Sequence, residues 1–296
     1  MSSGGIGIPV LRAILGSAHK IIAVYTGAAK KSGRGMSLAE NEISSIAKQH
    51  NLPVFTPISF KNDDTKLQFL NLNADLCVVV SYGLLLPDFV VNNNLGAINL
   101  HPSALPRWRG AAPIERALEA GDLHSEICTM FLELGLDTGD VIERFSFNIP
   151  GDFTAEDVYN FVNFQGGDMI LRAINAIENG TISREMQSNI GVTYAKKIDK
   201  SELEIDLESE LVEKIFNKIR AFALCGGCFV EIQGERIKIL RADIQKMAVN
   251  TEDIGRIDEN FRMFCKDGII LPKVVQKSGK SAVNIEDFLR GWRWKS

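Results

Sequence analysis

Residues 99–110 read Asn-Leu-His-Pro-Ser-Ala-Leu-Pro-Arg-Trp-Arg-Gly, and further on stands Gly135-Leu136-Asp137-Thr138-Gly139-Asp140. Asn99 and His101 are two residues apart, so in an extended strand their side chains share one face. Together with Asp137 they supply an amide, an imidazole and a carboxylate. That set suits acyl transfer to an amine. The amide donates to a developing oxyanion, the imidazole handles charge or a proton, and the carboxylate orients the imidazole. Pro102 and Pro106 restrict the loop that follows to extended conformations. Each residue also has an ordinary reading, as an Asn-containing turn, a satisfied histidine and a turn aspartate.

The surrounding elements must bring these groups together. Ile21–Tyr25, Val54-Phe55, Leu76–Val80 and Ala97–Leu100 are short, continuously apolar runs. Helical patterns lie between them, over about Ser37–His50 and Thr65–Leu72. This alternation predicts an α/β fold, a doubly wound, mainly parallel Rossmann-like sheet covered on both faces. Ligands of such sheets sit beyond the strand C-termini, where His101 falls. Phe153–Glu178 reads as a long helix, opened by Thr154 with Asp157 as a capping box and closed by Gly180. After an irregular stretch and a helix near Leu211–Phe222, the segments Cys228–Gln233, Arg236–Leu240 and Gly268–Leu271 predict a small β-barrel of OB-like kind. The expected division is 1–185, a linker over 186–206, and 207–296.

With 45% hydrophobic residues and 24% charged, the chain has the composition of an ordinary globular protein. A net charge of −4 excludes a global positive field, so any nucleic-acid contact must use local patches. Two are visible: Lys30, Lys31 and Arg34 in a stretch without acids, and the tail from Lys266, with seven basic residues against three acidic. Five scattered cysteines do not form a secreted disulfide framework, and no leader or membrane-spanning run is evident. A cytoplasmic location, or an organellar matrix, is expected. Cys225-Gly-Gly-Cys228 lacks a second pair or nearby histidines, so it reads as two thiols in a tight turn, and no metal is expected. Gly4, Gly5 and Gly7 suggest a dinucleotide loop, but that fingerprint requires a preceding strand.

The run LHPSALPRWRGAAPIERA with GLDTGD downstream, and VTYAKKIDK at 192–200, closely resemble the methionyl-tRNA formyltransferase family. The likeness runs along nearly the whole chain and is strongest at 74–145. It implies transfer of a formyl group from the co-substrate 10-formyltetrahydrofolate to the amine of methionyl initiator tRNA, by a monomer with no membrane partner. The family's catalytic residues fall on Asn99, His101 and Asp137. Its folate-contacting residues fall on Ser103, Ala104, Leu105 and Pro106, and its pterin-lining segment on Tyr82, Gly83, Leu84 and onward to Pro87. Its acceptor-stem loop matches Gly33-Arg34-Gly35, with Lys30 and Lys31 beside it. The second domain is implied to bind tRNA.

Three features depart from the family. The chain opens Met1-Ser2-Ser3-Gly4-Gly5, where the family has a turn that follows its first strand, so a central strand is expected to be missing. Met36-Ser37 stand where basic residues would follow the acceptor loop, and Ala223-Leu224-Cys225-Gly226 replaces an Asn-Pro-Trp-Pro. Two other readings stay open: a formyltransferase of the same fold acting on an amino sugar nucleotide, and a tRNA-binding protein with impaired catalysis.

Overall fold

The computed structural model describes residues 1–32 and 37–294, with side chains for 1–29 and 40–294. In chain order the elements are α1 (Gly7–Leu15), β1 (Val24–Tyr25), β2 (Lys30–Ser32), β3 (Ser37–Ala39), α2 (Glu42–Gln49), β4 (Val54–Phe55), α3 (Asp63–Asn71) and β5 (Cys77–Val79). Then come α4 (Asp88–Val91), β6 (Ala97–His101), β7 (Arg109–Gly110), α5 (Pro113–Glu119), β8 (His124–Phe131), β9 (Val141–Asn148) and α6 (Ala155–Glu178). The remainder is β10 (Tyr194–Ala195), α7 (Val212–Phe222), β11 (Cys228–Ile232), β12 (Glu235–Lys246), β13 (Met263–Cys265), β14 (Gly268–Lys277), β15 (Val283–Asn284) and α8 (Ile285–Gly291).

The chain folds as two compact units that are discontinuous in sequence. One comprises 1–110, 126–147 and 159–194; the other comprises 111–125, 148–158 and 195–296. The second unit draws in residues from the first half because α5 packs against α7.

In the first unit, β1 pairs with β4 in parallel, and a separate four-stranded sheet runs β5-β6-β8-β9. β5 and β6 are parallel, with Val79 opposite Asn99; β8 joins antiparallel, with Met130 opposite Asn99 and Cys128 opposite His101. One apolar cluster gathers Tyr25, Phe60, Phe69, Cys77, Val79, Val90 and Ala97, and a second gathers Leu11, Val24, Ile43, Ile46 and Ala47. Two glycines let α6 close on its neighbours. A Cβ on Gly166 would stand 2.5 Å from a Leu100 methyl, and one on Gly167 would stand 2.9 Å from the Ala13 Cβ. Leu100 lies between the two residues singled out on β6, so this approach fixes the strand that carries them.

Local signals set most element ends. Asn41 and Asn62 cap α2 and α3 by accepting from the Ser44 and Thr65 N–H, both at 2.9 Å. The helix expected from Ser37 therefore begins at Glu42. Ahead of it, β3 is extended and pairs with β2. At the head of α6, Asp157 accepts from the Thr154 N–H at 2.8 Å, which is the carboxylate half of the expected capping box. The Ile21–Tyr25 run forms a strand only at Val24–Tyr25.

In the second unit, β11, β12, β14 and β13 form an antiparallel sheet, with β15 added along β14. β12 spans twelve residues where a short strand ending at Leu240 was expected. The extra length bends at a register shift near Arg241, and bulges of this kind let one strand curl around a small core. Cys225 and Cys228 flank the turn Gly226-Gly227, and all five cysteines are free thiols.

Candidate active site

β6 delivers Asn99 half-buried and His101 buried, two residues apart at the strand's C-terminal end. The chain then folds back on itself. Ser103 N–H donates to the His101 carbonyl at 3.0 Å, and the Ser103 hydroxyl donates to the Arg107 carbonyl at 2.8 Å. This return brings the Trp108 carbonyl 2.9 Å from His101 Nε2. A carbonyl only accepts, so Nε2 carries the proton of this bond. The other nitrogen, Nδ1, faces Asp137 Oδ2 at 3.8 Å. That separation suits charge attraction rather than a direct hydrogen bond.

Asp137 is held independently of the histidine. Its backbone is left-handed, with φ of 51°, and its Oδ2 accepts from the Gly110 N–H at 2.8 Å. Gln187 closes the loop from the other side. Its Nε2 donates to the Asp137 carbonyl at 2.9 Å and the Gly139 carbonyl at 2.8 Å, while its Oε1 accepts from Arg109 Nη2 at 2.7 Å and Nε at 3.0 Å. Arg109 and Gln187 are both buried. Gly139 has to be glycine here, because a Cβ would stand 2.1 Å from the Phe131 carbonyl oxygen. The loop bearing Asp137 is thus clamped on three sides.

The remaining expected residues divide by environment. Ser103 and Leu105 are buried and engaged by the protein itself: Cys128 Sγ donates to the Ser103 carbonyl at 3.1 Å, and Arg144 donates to the Leu105 carbonyl at 2.7 Å. Arg144 also pairs with Glu126 and Glu185, at 2.9 and 3.0 Å. Burial pushes the Cys128 thiol up to about 12, which leaves it a packing group rather than a nucleophile. Ala104 and Pro106 are half-buried.

Tyr82, Gly83 and Leu84 leave the end of β5, next to the end of β6. The Tyr82 hydroxyl is buried without a described partner, and burial pushes its pKa up to about 12. Lys30 and Lys31 lie on β2, whose side chains fall outside the described set, and Arg34 falls outside the described residues altogether. Among the described residues no group of three His, Cys, Asp or Glu side chains is placed to hold a metal ion, and no helix is long and apolar enough to cross a membrane.

The sequence reading missed the Arg109–Gln187 pair and the Trp108 carbonyl. Arg109 lies inside the motif, but nothing in the irregular segment at Gln187 announces a partner 78 residues away.

Comparison with known proteins adds to this geometry. Residues 9–174 match the formyl transferase family and 197–293 match the formyl transferase C-terminal domain. A methionyl-tRNA formyltransferase of Parvibaculum lavamentivorans is 39% identical, with 100% of this chain and 96% of that protein covered. Those of Brucella abortus and Coxiella burnetii are 37% and 36% identical, covering 97% and 95% of this chain and 94% and 91% of theirs. Among solved structures, a sugar 3N-formyl transferase superposes with a TM-score of 0.69 at 20% identity, covering 95% of this chain and 97% of that one. A methionyl-tRNA formyltransferase from Clostridium thermocellum gives 0.53 at 20% identity, over 68% of this chain and 87% of that one. At that identity the structures speak for the fold.

Proposed function

This chain belongs to the methionyl-tRNA formyltransferase family, and we propose that it formylates the α-amine of methionine carried on initiator tRNA, with 10-formyltetrahydrofolate as donor. The observation that carries this reading is the likeness of the whole chain, both halves included, to curated relatives of that name.

In the reaction the new amide bond forms at the formyl carbon while the bond to the folate nitrogen breaks. One proton leaves the attacking amine and one is needed at the departing nitrogen. Asn99, half-buried at the end of β6, is assigned to the oxyanion that develops as the amine adds. His101, with Nε2 tied to the Trp108 carbonyl, turns Nδ1 toward Asp137. A proton on Nδ1 then places positive charge between the carboxylate and the reacting carbon. Asp137 keeps one oxygen engaged by Gly110, which leaves Oδ1 to take the amine proton, directly or through water, and to return it to the departing folate nitrogen.

The residues fit a folate. Tyr82 offers a buried hydroxyl without a described partner, a polar group suited to a heterocycle, and Leu84 and Leu86 are half-buried beside it. Tyr82, Gly83 and Leu84 would line the ring. Ala104 and Pro106 would meet it from the other loop, while Ser103 and Leu105 shape that loop from within. Arg34, Lys30 and Lys31 are assigned to the tRNA, where phosphate contacts orient the acceptor end.

A rival reading keeps the same fold and takes an amino sugar nucleotide as acceptor. Formyl transfer assayed with charged initiator tRNA and with an amino sugar nucleotide separates the two. Formylated methionyl-tRNA is the expected product; formylated sugar alone would overturn the proposal, and no transfer to either would point to an impaired enzyme.

A further inference from the structure

The carbonyl that meets His101 belongs to an unusual stretch of backbone. Trp108 has a φ of 62°, in the left-handed region that a bulky side chain leaves unless its surroundings hold it there. Part of that hold comes from residue 193, at the end of the irregular stretch that follows Gln187.

Thr193 grips the loop after β6 at three points. Its hydroxyl oxygen accepts from the Trp108 N–H at 2.9 Å. Its carbonyl accepts from the Arg109 N–H at 2.9 Å, and its own N–H donates to the Pro106 carbonyl at 3.4 Å. The hydroxyl thus holds the peptide before Trp108 and opposes relaxation of its φ, while the carbonyl holds the peptide after it. That second peptide is trans, so its C=O and N–H point to opposite sides. The Arg109 N–H points at Thr193, and the Trp108 carbonyl therefore points away, to His101 Nε2 at 2.9 Å. One row of bonds runs from the Thr193 carbonyl through this peptide to the imidazole, and each bond in such a row strengthens the next. The following N–H, that of Gly110, holds Asp137 Oδ2 at 2.8 Å.

The orientation of the Trp108–Arg109 peptide decides which nitrogen of His101 carries hydrogen. With the carbonyl turned to the ring, Nε2 donates and Nδ1 is left for Asp137. A ring protonated on both nitrogens then finds a carbonyl at one and a carboxylate at the other. Turned over, the same peptide would present the Arg109 N–H, and Nε2 would have to accept. Hydrogen on the neutral ring would then sit on Nδ1, and the charged ring would face a donor.

We infer that Thr193 is a positioning residue for the transfer: it holds Trp108 in its left-handed conformation and thereby fixes the His101 ring with hydrogen on Nε2 and with Nδ1 turned to Asp137. The inference rests on the assignment of His101 and Asp137 to formyl transfer. Thr193 acts through Trp108 and Arg109, on the imidazole side of the pair. Gln187, six residues earlier in the same stretch, serves the carboxylate side by holding the Asp137 loop.

The test uses the full chain with Thr193→Val, which removes the hydroxyl and keeps the backbone bonds, and Thr193→Ser, which keeps the hydroxyl. With charged initiator tRNA as acceptor, Thr193→Val should lower kcat by roughly 10- to 100-fold and change both KM values by less than about twofold, and Thr193→Ser should restore most of the kcat. Ring-nitrogen NMR spectra read the imidazoles directly; the chain has four histidines, and His101→Asn identifies the signals of His101. With the ring neutral, the unsubstituted chain and Thr193→Ser should carry hydrogen on Nε2, and Thr193→Val should show a substantial Nδ1–H fraction. Ser188→Ala removes a bond to the Ile190 N–H in the same stretch and should leave kcat and the ring unchanged. An unchanged kcat in Thr193→Val would overturn the inference, as would a lowered kcat with Nε2–H intact or an equal loss in Ser188→Ala. Absence of tRNA formylation by the unsubstituted chain would overturn the proposed reaction instead, and the spectra would still decide the role of Thr193.

Discussion

Two places in the first unit make opposite use of burial. At the C-terminal end of β6, polar groups are buried and each is answered: His101 by the Trp108 carbonyl, Asp137 by Gly110, and Gln187 by Arg109 and two carbonyls. In a cavity of about 630 Å³ that opens between residues 21–25 and 74–78 the lining is mostly apolar, and the Met1 ammonium is buried, donating to the Val78 carbonyl. The first region spends hydrogen bonds to hold a geometry. The second offers mostly apolar surface. Chemistry needs fixed dipoles, which cost no reorganisation when charge develops, whereas an apolar lining contributes through burial. Changes at the first region should therefore appear in turnover, and changes at the second in stability.

The largest effect is expected at Asn99. Asn99→Ala should lower turnover by roughly 100- to 1,000-fold, the usual result of removing an oxyanion donor, with folate affinity little changed. Steady-state kinetics beside a folate-binding titration checks this. Near-normal turnover would remove Asn99 from the chemistry.

The His101–Asp137 pair comes next. His101→Ala and Asp137→Asn should each cost on the order of 100-fold in turnover, and the double variant should cost clearly less than the product of the two. At 3.8 Å the pair acts through charge, so raised salt should weaken this coupling little, because the site is buried. Full additivity would separate their roles.

Gln187→Leu sharpens the contrast from within the polar region. It removes the two bonds that hold the Asp137 loop and leaves the buried Arg109 without its acceptor. A stability loss of about 2–3 kcal/mol, or roughly 5–10 °C in Tm, is expected, along with a lower kcat. Gln187→Glu, which keeps an acceptor for Arg109, should recover more of the stability than of the kcat. If Gln187→Leu lowered stability with kcat intact, the clamp would be structural alone.

The cavity should reveal itself through pH. Burial lowers the Met1 amine to about 6, against an ordinary 8.0, so between these values the folded chain binds fewer protons than the unfolded one. Stability should then rise from pH 6 to pH 8, by up to about 3 kcal/mol. Urea midpoints at the two pH values, for the free and the N-acetylated chain, isolate this contribution. The same pH slope in both would place it elsewhere. Turnover at saturating substrate should not follow the acetylation.

Arg34→Ala should have the smallest effect. The reaction with charged tRNA should weaken and its salt dependence should flatten by about one phosphate contact, with folate binding unchanged. Identical tRNA kinetics across a salt series would rule Arg34 out of acceptor binding.

Much of this protein could be read from local pattern. The Asn-x-His at the end of an apolar run, the Asp in a Gly-rich turn, the β/α alternation and the Thr154–Asp157 cap all rest on residues within a few positions of each other. Periodicity and capping are short-range physics, so a linear reading captures them. Boundaries were less legible where pairing set them: β1 shrinks to two residues, and β12 runs well past Leu240 along β14. The sequence by itself determined which groups are available for chemistry and which faces are apolar. Only the tertiary structure decided that Gln187 ties Arg109 to the Asp137 loop, that the Trp108 carbonyl rather than Asp137 accepts from His101 Nε2, and that residues 21–25 and 74–78 face each other across a cavity. Such bonds join positions far apart in the chain, and their directions depend on where distant backbone has already been placed. No local periodicity carries that information.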